Sequence, residues 1–172
     1  MSATKLSGIK YTAYIGVLVS CALVLSLLEN AVPFFGVMPG IKIGLANIVT
    51  MLTLFWFGPI SSLSVGLLRS FLTAVLSGNL SMFFYSGAGT VLCVFVMYIC
   101  EKLFSKHVSV IGRSMIGAFF FNVGQVSVAS FAVSNIRIFS YLPVLTFVST
   151  FCGILTGYIT KKIMEAEYVR KK

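Results

Sequence analysis

The sequence predicts an all-α integral membrane protein of six transmembrane helices. Three observations carry this. The 172 residues are 58% hydrophobic and 10% charged, with a mean hydropathy of +1.02, well outside the range of soluble domains. Long windows without charge cover 11–28, 43–68, 70–100, 114–136 and 138–160. Turn chemistry at Gly58-Pro59 and at Ser77-Gly78-Asn79 cuts the second and third windows, so that every piece has the length of one bilayer crossing.

The first helix is expected over 10–28. Lys5 and Lys10 ahead of an apolar run imitate a signal peptide, but the run is long for that role. Five further spans follow, and Glu29-Asn30-Ala31 is a poor cleavage site, so the helix is read as retained. Pro33, Gly36, Pro39 and Gly40 then break the chain into an apolar, non-helical loop, either a lid over a pocket or a plain interfacial connection. The remaining helices are expected over 41–57, 60–77, 81–104, 109–134 and 139–164. Residues 1–172 read as a single transmembrane domain with no soluble module or linker.

Basic residues set the orientation. With the N-terminus inside, Lys5, Lys10, Lys102, Lys106, Arg113, Lys161, Lys162, Arg170, Lys171 and Lys172 are cytoplasmic, and only Lys42 and Arg137 lie outside. The asymmetry puts both termini in the cytoplasm of a multi-pass plasma-membrane protein. It also accounts for most of the net charge of +9, which suits an anionic lipid surface. No basic segment is interleaved with stacking aromatics in a soluble module, so a nucleic-acid partner is not expected.

Several chemistries fail on inventory. Cys21, Cys93, Cys100 and Cys152 show no C-x-x-C spacing and all fall in spans. His107 is the one histidine, and no P-loop occurs. Gly87-Ala-Gly89 lacks the third glycine and the preceding strand of a dinucleotide loop and reads as a helix-packing or kink site. The chain has no Asp, which excludes the paired-aspartate magnesium clusters that ionise prenyl diphosphates. No catalytic residue, cofactor or metal is expected, and the chain reads as a non-enzyme.

What remains is a sparse polar set in an apolar field. Arg69 stands inside the third span, where a guanidinium costs about 2.5–3.5 kcal/mol on insertion scales and so needs a partner or a wet cavity. Its charge points to an anion; the alternative is a structural pair with a buried carboxylate, for which Glu29 is the available group. Asn122 and Gln125, three residues apart on the fifth span, share one helix face and either glue helices together or line a cavity. Lys42 and Asn47 lie near the outer leaflet beside Gly40 and Gly44, and Lys42 by itself would be an interfacial snorkeller. Arg137 opens the sixth helix, where an interfacial anchor is the plain reading. Thr12, Gly16 and Ser20 on the first helix, and Gly153-x-x-x-Gly157 on the sixth, mark faces for close packing.

Four segments together resemble a known family. They are Leu23-Val-Leu-Ser-Leu-Leu-Glu29-Asn30, Pro39-Gly-Ile-Lys42-Ile-Gly-Leu-Ala-Asn47-Ile-Val-Thr50, Leu67-Leu-Arg69 and Asn122-Val-Gly-Gln125. In these the chain resembles the Gx transporter family, small membrane proteins also described as heptaprenyl diphosphate synthase component I. That family in turn is similar to the substrate-binding S components of energy-coupling-factor (ECF) transporters. The resemblance implies a six-helix S-component-like bundle that captures a small vitamin-like or precursor molecule from outside. A transmembrane coupling protein and ATPase subunits would supply the energy. It also implies a docking face on the first helix, where S components carry Ala-x-x-x-Ala; the matching positions here are Gly16-x-x-x-Ser20 and, less closely, Ala13-x-x-x-Val17. The expected substrate-binding residues are Arg69, Lys42, Asn47, Asn122, Gln125, Glu29, Asn30 and Arg137, facing a small anionic ligand. A second reading is a non-catalytic membrane accessory subunit in isoprenoid or quinone metabolism.

Overall fold

The computed structural model describes residues 8–31, 44–104 and 107–170. Among them the chain forms six α-helices, one 3₁₀ helix and no strand. The helices are α1 (Gly8–Ala31), α2 (Asn47–Phe57), α3 (Pro59–Leu76), α4 (Ser81–Phe104), α5 (Val110–Val133) and α6 (Leu142–Arg170), with the 3₁₀ helix at Ile136–Tyr141. Five of them, all but α2, are long and apolar enough to cross a membrane. The chain is a multi-pass helical membrane protein.

The expected breaks fall where turn chemistry puts them. Gly58, at φ +87, ends α2, and Pro59 opens α3 at a position where its missing N–H costs no helical bond. Gly78, at φ +66, ends the next turn, and the Asn79 side chain accepts the Ser81 N–H at 3.1 Å to start α4. Ser109 caps α5 by accepting the Gly112 N–H at 3.1 Å.

Three expected boundaries are corrected. The second helix starts at Asn47 and not at 41, because residues 44–46 form a turn. Gly44 there has φ +94, outside helical geometry, and its N–H is donated to the Glu29 carboxylate. The sixth helix starts at Leu142 and not at 139. Ser134, at φ +52, ends α5, and Asn135 accepts the Arg137 N–H at 3.0 Å to open the 3₁₀ helix that precedes α6. The end of α6, Arg170, lies beyond the expected 164.

Side-chain bonds give the directions of the helices. Tyr11 meets Ser61, Ser26 meets Arg69 and Asn30 meets Ser77, so α1 and α3 run parallel. Ser70 meets Ser86 and Arg69 meets Thr90, so α3 and α4 are antiparallel. Ser114 meets Thr156 and Asn122 meets the Leu145 carbonyl, so α5 and α6 are antiparallel too. The short α2 lies inside, packed on α1, α3, α4 and α6, with every residue from Asn47 to Leu54 buried.

Eleven residues rise only about 16 Å, roughly half of a 30 Å hydrocarbon core. Yet Gly44 reaches Glu29 near one end of α1, and the Phe57 ring meets Tyr11 near the other, centroid to centroid 5.8 Å. The turn and α2 together therefore run the depth between Tyr11 and Glu29.

Two seams are drawn tight by glycine. A Cβ on Gly124 would stand 2.8 Å from the Ala88 carbonyl oxygen, so α5 and α4 touch through backbone. A Cβ on Gly153 or Gly157 would stand 2.7 Å from the Cα of Met115 or Ile111, so the small-residue stripe of α6 is filled by α5. The stripe on α1 is different: nothing lies within 4 Å of a Cβ built on Gly16.

Candidate functional site

The periodicity of α3 turns Ser62, Val65, Gly66, Arg69, Ser70 and Thr73 to one buried face, which is mostly polar. Arg69 is wholly enclosed, at 0% exposure. Its Nη1 donates to Ser26 Oγ on α1 at 3.1 Å, and its Nη2 donates to Thr90 Oγ1 on α4 at 3.2 Å. Thr90 passes its own proton to the Ser86 carbonyl at 2.8 Å. Gly66 makes this possible: a Cβ there would stand 2.4 Å from the Thr90 methyl, so only glycine lets α4 come this close. Arg69 Nε has no hydrogen-bond partner among the described residues.

Glu29 lies one turn beyond Ser26 on α1, is buried, and acts electrostatically on Arg69. One carboxylate oxygen accepts the Gly44 N–H. That bond sets the turn before α2, and the turn positions Asn47: a Cβ on Gly44 would collide with Asn47 Nδ2 at 2.7 Å and touch the Phe121 ring at 3.6 Å. Asn47 is 7% exposed, and neither its amide nitrogen nor its oxygen has a partner among the described residues. Thr50, three residues on and on the same face, is fully buried with its hydroxyl also unpartnered.

From α5, Asn122 donates through Nδ2 to the Leu145 carbonyl at 3.1 Å, which leaves its Oδ1 without a partner. Gln125, on the same α5 face, is fully buried. Buried polar atoms are ordinarily hydrogen-bonded, because leaving one unpaired costs about 1–3 kcal/mol. Here several atoms in one layer break that rule. A layer of this kind can bind and orient a polar molecule. Among the described residues no group of three or more His, Cys, Asp or Glu side chains could hold a metal ion.

The model of one protein family, described as heptaprenyl diphosphate synthase component I, matches residues 18–163. The chain belongs to this family. Comparison with curated proteins and with solved structures returns no match. The stretch shared with the heptaprenyl diphosphate synthase component I family runs from inside α1 to inside α6. It contains every residue of the layer, Ser26, Glu29, Asn47, Thr50, Arg69, Thr90, Asn122 and Gln125.

Other expected residues fall elsewhere. Asn30 is exposed at the end of α1 and donates to Ser77 Oγ at 3.1 Å, tying α1 to the end of α3. Arg137 is exposed on the 3₁₀ helix, where its backbone bonds to Asn135 and Ser140, and it is not brought into the layer. Lys42 and the Pro33–Gly40 loop lie outside the described residues. Ala13, Gly16 and Ser20 are exposed together on the outward face of α1, with Ser20 Oγ bonded back to the Gly16 carbonyl at 2.9 Å.

Ser26, Thr50 and Thr90 were not expected. Hydroxyls are common in membrane helices, where they bond back to their own backbone, so their presence alone carries no direction. Ser26 had one usable signal, its spacing of three from Glu29. Thr90 had none, since its contact with Arg69 depends on where α4 crosses Gly66.

Proposed function

We propose that this chain is the substrate-binding membrane subunit of an ECF-type importer. It takes a small anionic, vitamin-like or precursor molecule from outside, and partner subunits supply ATP hydrolysis. The observation that carries the reading is Arg69, enclosed by three helices, bonded to two hydroxyls and left with one N–H that has no partner among the described residues. A buried guanidinium held in this way is a recognition group for an anionic or carbonyl oxygen. Asn47 and Asn122 add polar atoms with open valences in the same layer.

The chain acts in this reading as a non-enzyme. The sequence has no nucleotide-binding loop, so the energy comes from a coupling protein and ATPases, as its resemblance to S components implies. The open face of α1 at Ala13, Gly16 and Ser20 suits the docking of the coupling protein, since no described residue comes within 4 Å of a Cβ built on Gly16. The excess of lysine and arginine supports a plasma-membrane orientation with both termini in the cytoplasm. Reporter fusions should then place the C-terminus and residues 102–107 inside and residues 33–40 outside; an external C-terminus would break this topology.

A second reading follows from the family's description, that the chain is a non-catalytic membrane component in heptaprenyl diphosphate metabolism. One experiment separates the two. The tagged chain is purified from its own membranes, and the proteins that come with it are identified. A transmembrane coupling protein with ATPase subunits is the expected result. A soluble prenyl synthase subunit in their place would favour the second reading.

A further inference from the structure

The atoms of the buried layer that have no partner among the described residues differ in what they can exchange. Arg69 Nε–H can only donate. Asn47 offers both a donor, Nδ2, and an acceptor, Oδ1, so its need is the same whichever way the amide is turned. Asn122 offers only Oδ1, because its Nδ2 must face the Leu145 carbonyl, which cannot donate. Thr50 Oγ1 can serve in either sense. Nearby, the Glu29 carboxylate adds a negative charge.

An oxyanion that only accepts would satisfy Arg69 and half of Asn47. It would set its oxygens against Asn122 Oδ1 and Asn47 Oδ1, leaving two buried acceptors unpaired in a place with no bulk water. A ligand with N–H donors next to carbonyl or carboxylate acceptors meets every one of these atoms. Sites built to bond a particular donor discriminate strongly against a ligand that lacks it, because the site's own atoms are then stranded.

We infer that the layer formed by Arg69, Asn47, Thr50 and Asn122 recognises a molecule with a mixed N–H and C=O edge, of the cyclic amide or ureide class, and rejects an acceptor-only diphosphate. This rests on the substrate-capture reading above and narrows it. Arg69 Nε takes the ligand's anionic or carbonyl oxygen. Asn47 pairs with a neighbouring N–H and C=O through both ends of its amide, and Asn122 Oδ1 accepts a further N–H.

The test uses the full chain and an Asn47→Leu variant, each purified from its native membrane. Small molecules retained by each are extracted and identified by accurate mass and fragmentation, and melting temperatures are measured with and without added farnesyl diphosphate. The expected result is a retained compound with a ring N–H beside a carbonyl. Its amount should fall about tenfold or more in Asn47→Leu. The variant should melt no lower than the parent, and farnesyl diphosphate should shift neither protein. A retained prenyl diphosphate, or stabilisation of the parent by farnesyl diphosphate, would overturn this inference and leave substrate capture standing. Equal retention by Asn47→Leu would remove Asn47 from recognition and overturn it as well. If neither protein retains anything, the layer binds only water, and the inference and the capture reading fall together.

Discussion

The seam between α5 and α6 and the layer around Arg69 lie in one bundle and solve burial in opposite ways. In the seam, Gly153 and Gly157 bring the backbones together, and the Ser114 and Thr156 hydroxyls meet each other at 2.6 Å. One polar atom stays open on that face: Thr160 Oγ1, fully buried and without a partner among the described residues. In the layer, Arg69 and Asn122 are bonded at one end and open at the other, and Asn47 is open at both ends of its amide. Close packing is worth most where lipid offers no hydrophobic drive between helices, so the seam is explained by stability alone. The layer is not, since each open atom lowers stability and a leucine in place of Asn47 would carry none of that cost. A seam closed by glycine with a single open hydroxyl reads as structure, and open amide, guanidinium and hydroxyl atoms gathered from α2, α3 and α5 read as a site.

The largest effect is expected at the seam. Gly153→Leu puts a side chain where Met115 Cα already stands 2.7 Å from the first added carbon, so the backbones must separate. The expected loss is about 3 kcal/mol, the upper part of the usual overpacking range, and Gly157→Leu should behave alike. Thermal unfolding in detergent reads this directly, and any ligand that survives should bind with unchanged affinity per folded molecule. A variant that melts with the parent would mean that the seam is not closed.

At Arg69 the pattern reverses. Arg69→Ala should insert and fold, because it removes a costly buried charge, while ligand affinity falls about ten- to a hundredfold. That is the worth of one charge-assisted hydrogen bond of about 1.5–3 kcal/mol. Arg69→Lys should recover only part of the loss, since a compact ammonium cannot hold Ser26 and Thr90 and also aim its third N–H as the planar guanidinium aims Nε–H. A structural role in balancing Glu29 gives the opposite signature, a lower melting temperature in Arg69→Ala that Glu29→Gln restores. Binding and melting measured on the three variants decide between them.

Much of this contrast is legible in the sequence, and the rest is not for physical reasons. Gly58-Pro59, Ser77-Gly78-Asn79 and the helix at 81–104 follow from local turn chemistry and length, which need no knowledge of neighbours. Arg69 stands out because a charge in an apolar run has few explanations. The start of α2 is not legible, because the Gly44 turn is fixed by a bond to Glu29, fifteen positions earlier in the chain. The partners of Arg69 are hidden for the same reason: Ser26 and Thr90 lie on other helices, and their role depends on how closely those helices cross. Arg137 and Asn47 looked alike as polar residues at span ends. Tertiary packing encloses Asn47 and leaves Arg137 exposed.

Gly44 ties the legible to the hidden and supplies a smaller effect. Gly44→Ala strains a backbone at φ +94 by about 1–2 kcal/mol, and its methyl would strike Asn47 Nδ2. Ligand retention should fall along with the melting temperature. A loss of stability with retention unchanged would detach the turn from the layer.

The smallest effect on the folded chain belongs to the open face of α1, and there the smallness is the evidence. A Cβ on Gly16 meets no described residue within 4 Å, and Ser20 is exposed with its hydroxyl bonded to its own helix. Gly16→Leu and Ser20→Leu should therefore change stability by no more than about 0.5 kcal/mol and leave ligand retention intact. The same leucine at Gly153 is ruinous because α5 is already there. If α1 docks a coupling protein through this face, the added bulk should abolish co-purification and uptake while the isolated chain stays normal. The face can be unfilled for two reasons, contact with lipid or contact with a partner, and leucine tells them apart, since lipid accepts it and a close helix does not. Assembly and uptake unchanged in both variants would assign the face to lipid and remove Ala13, Gly16 and Ser20 from docking.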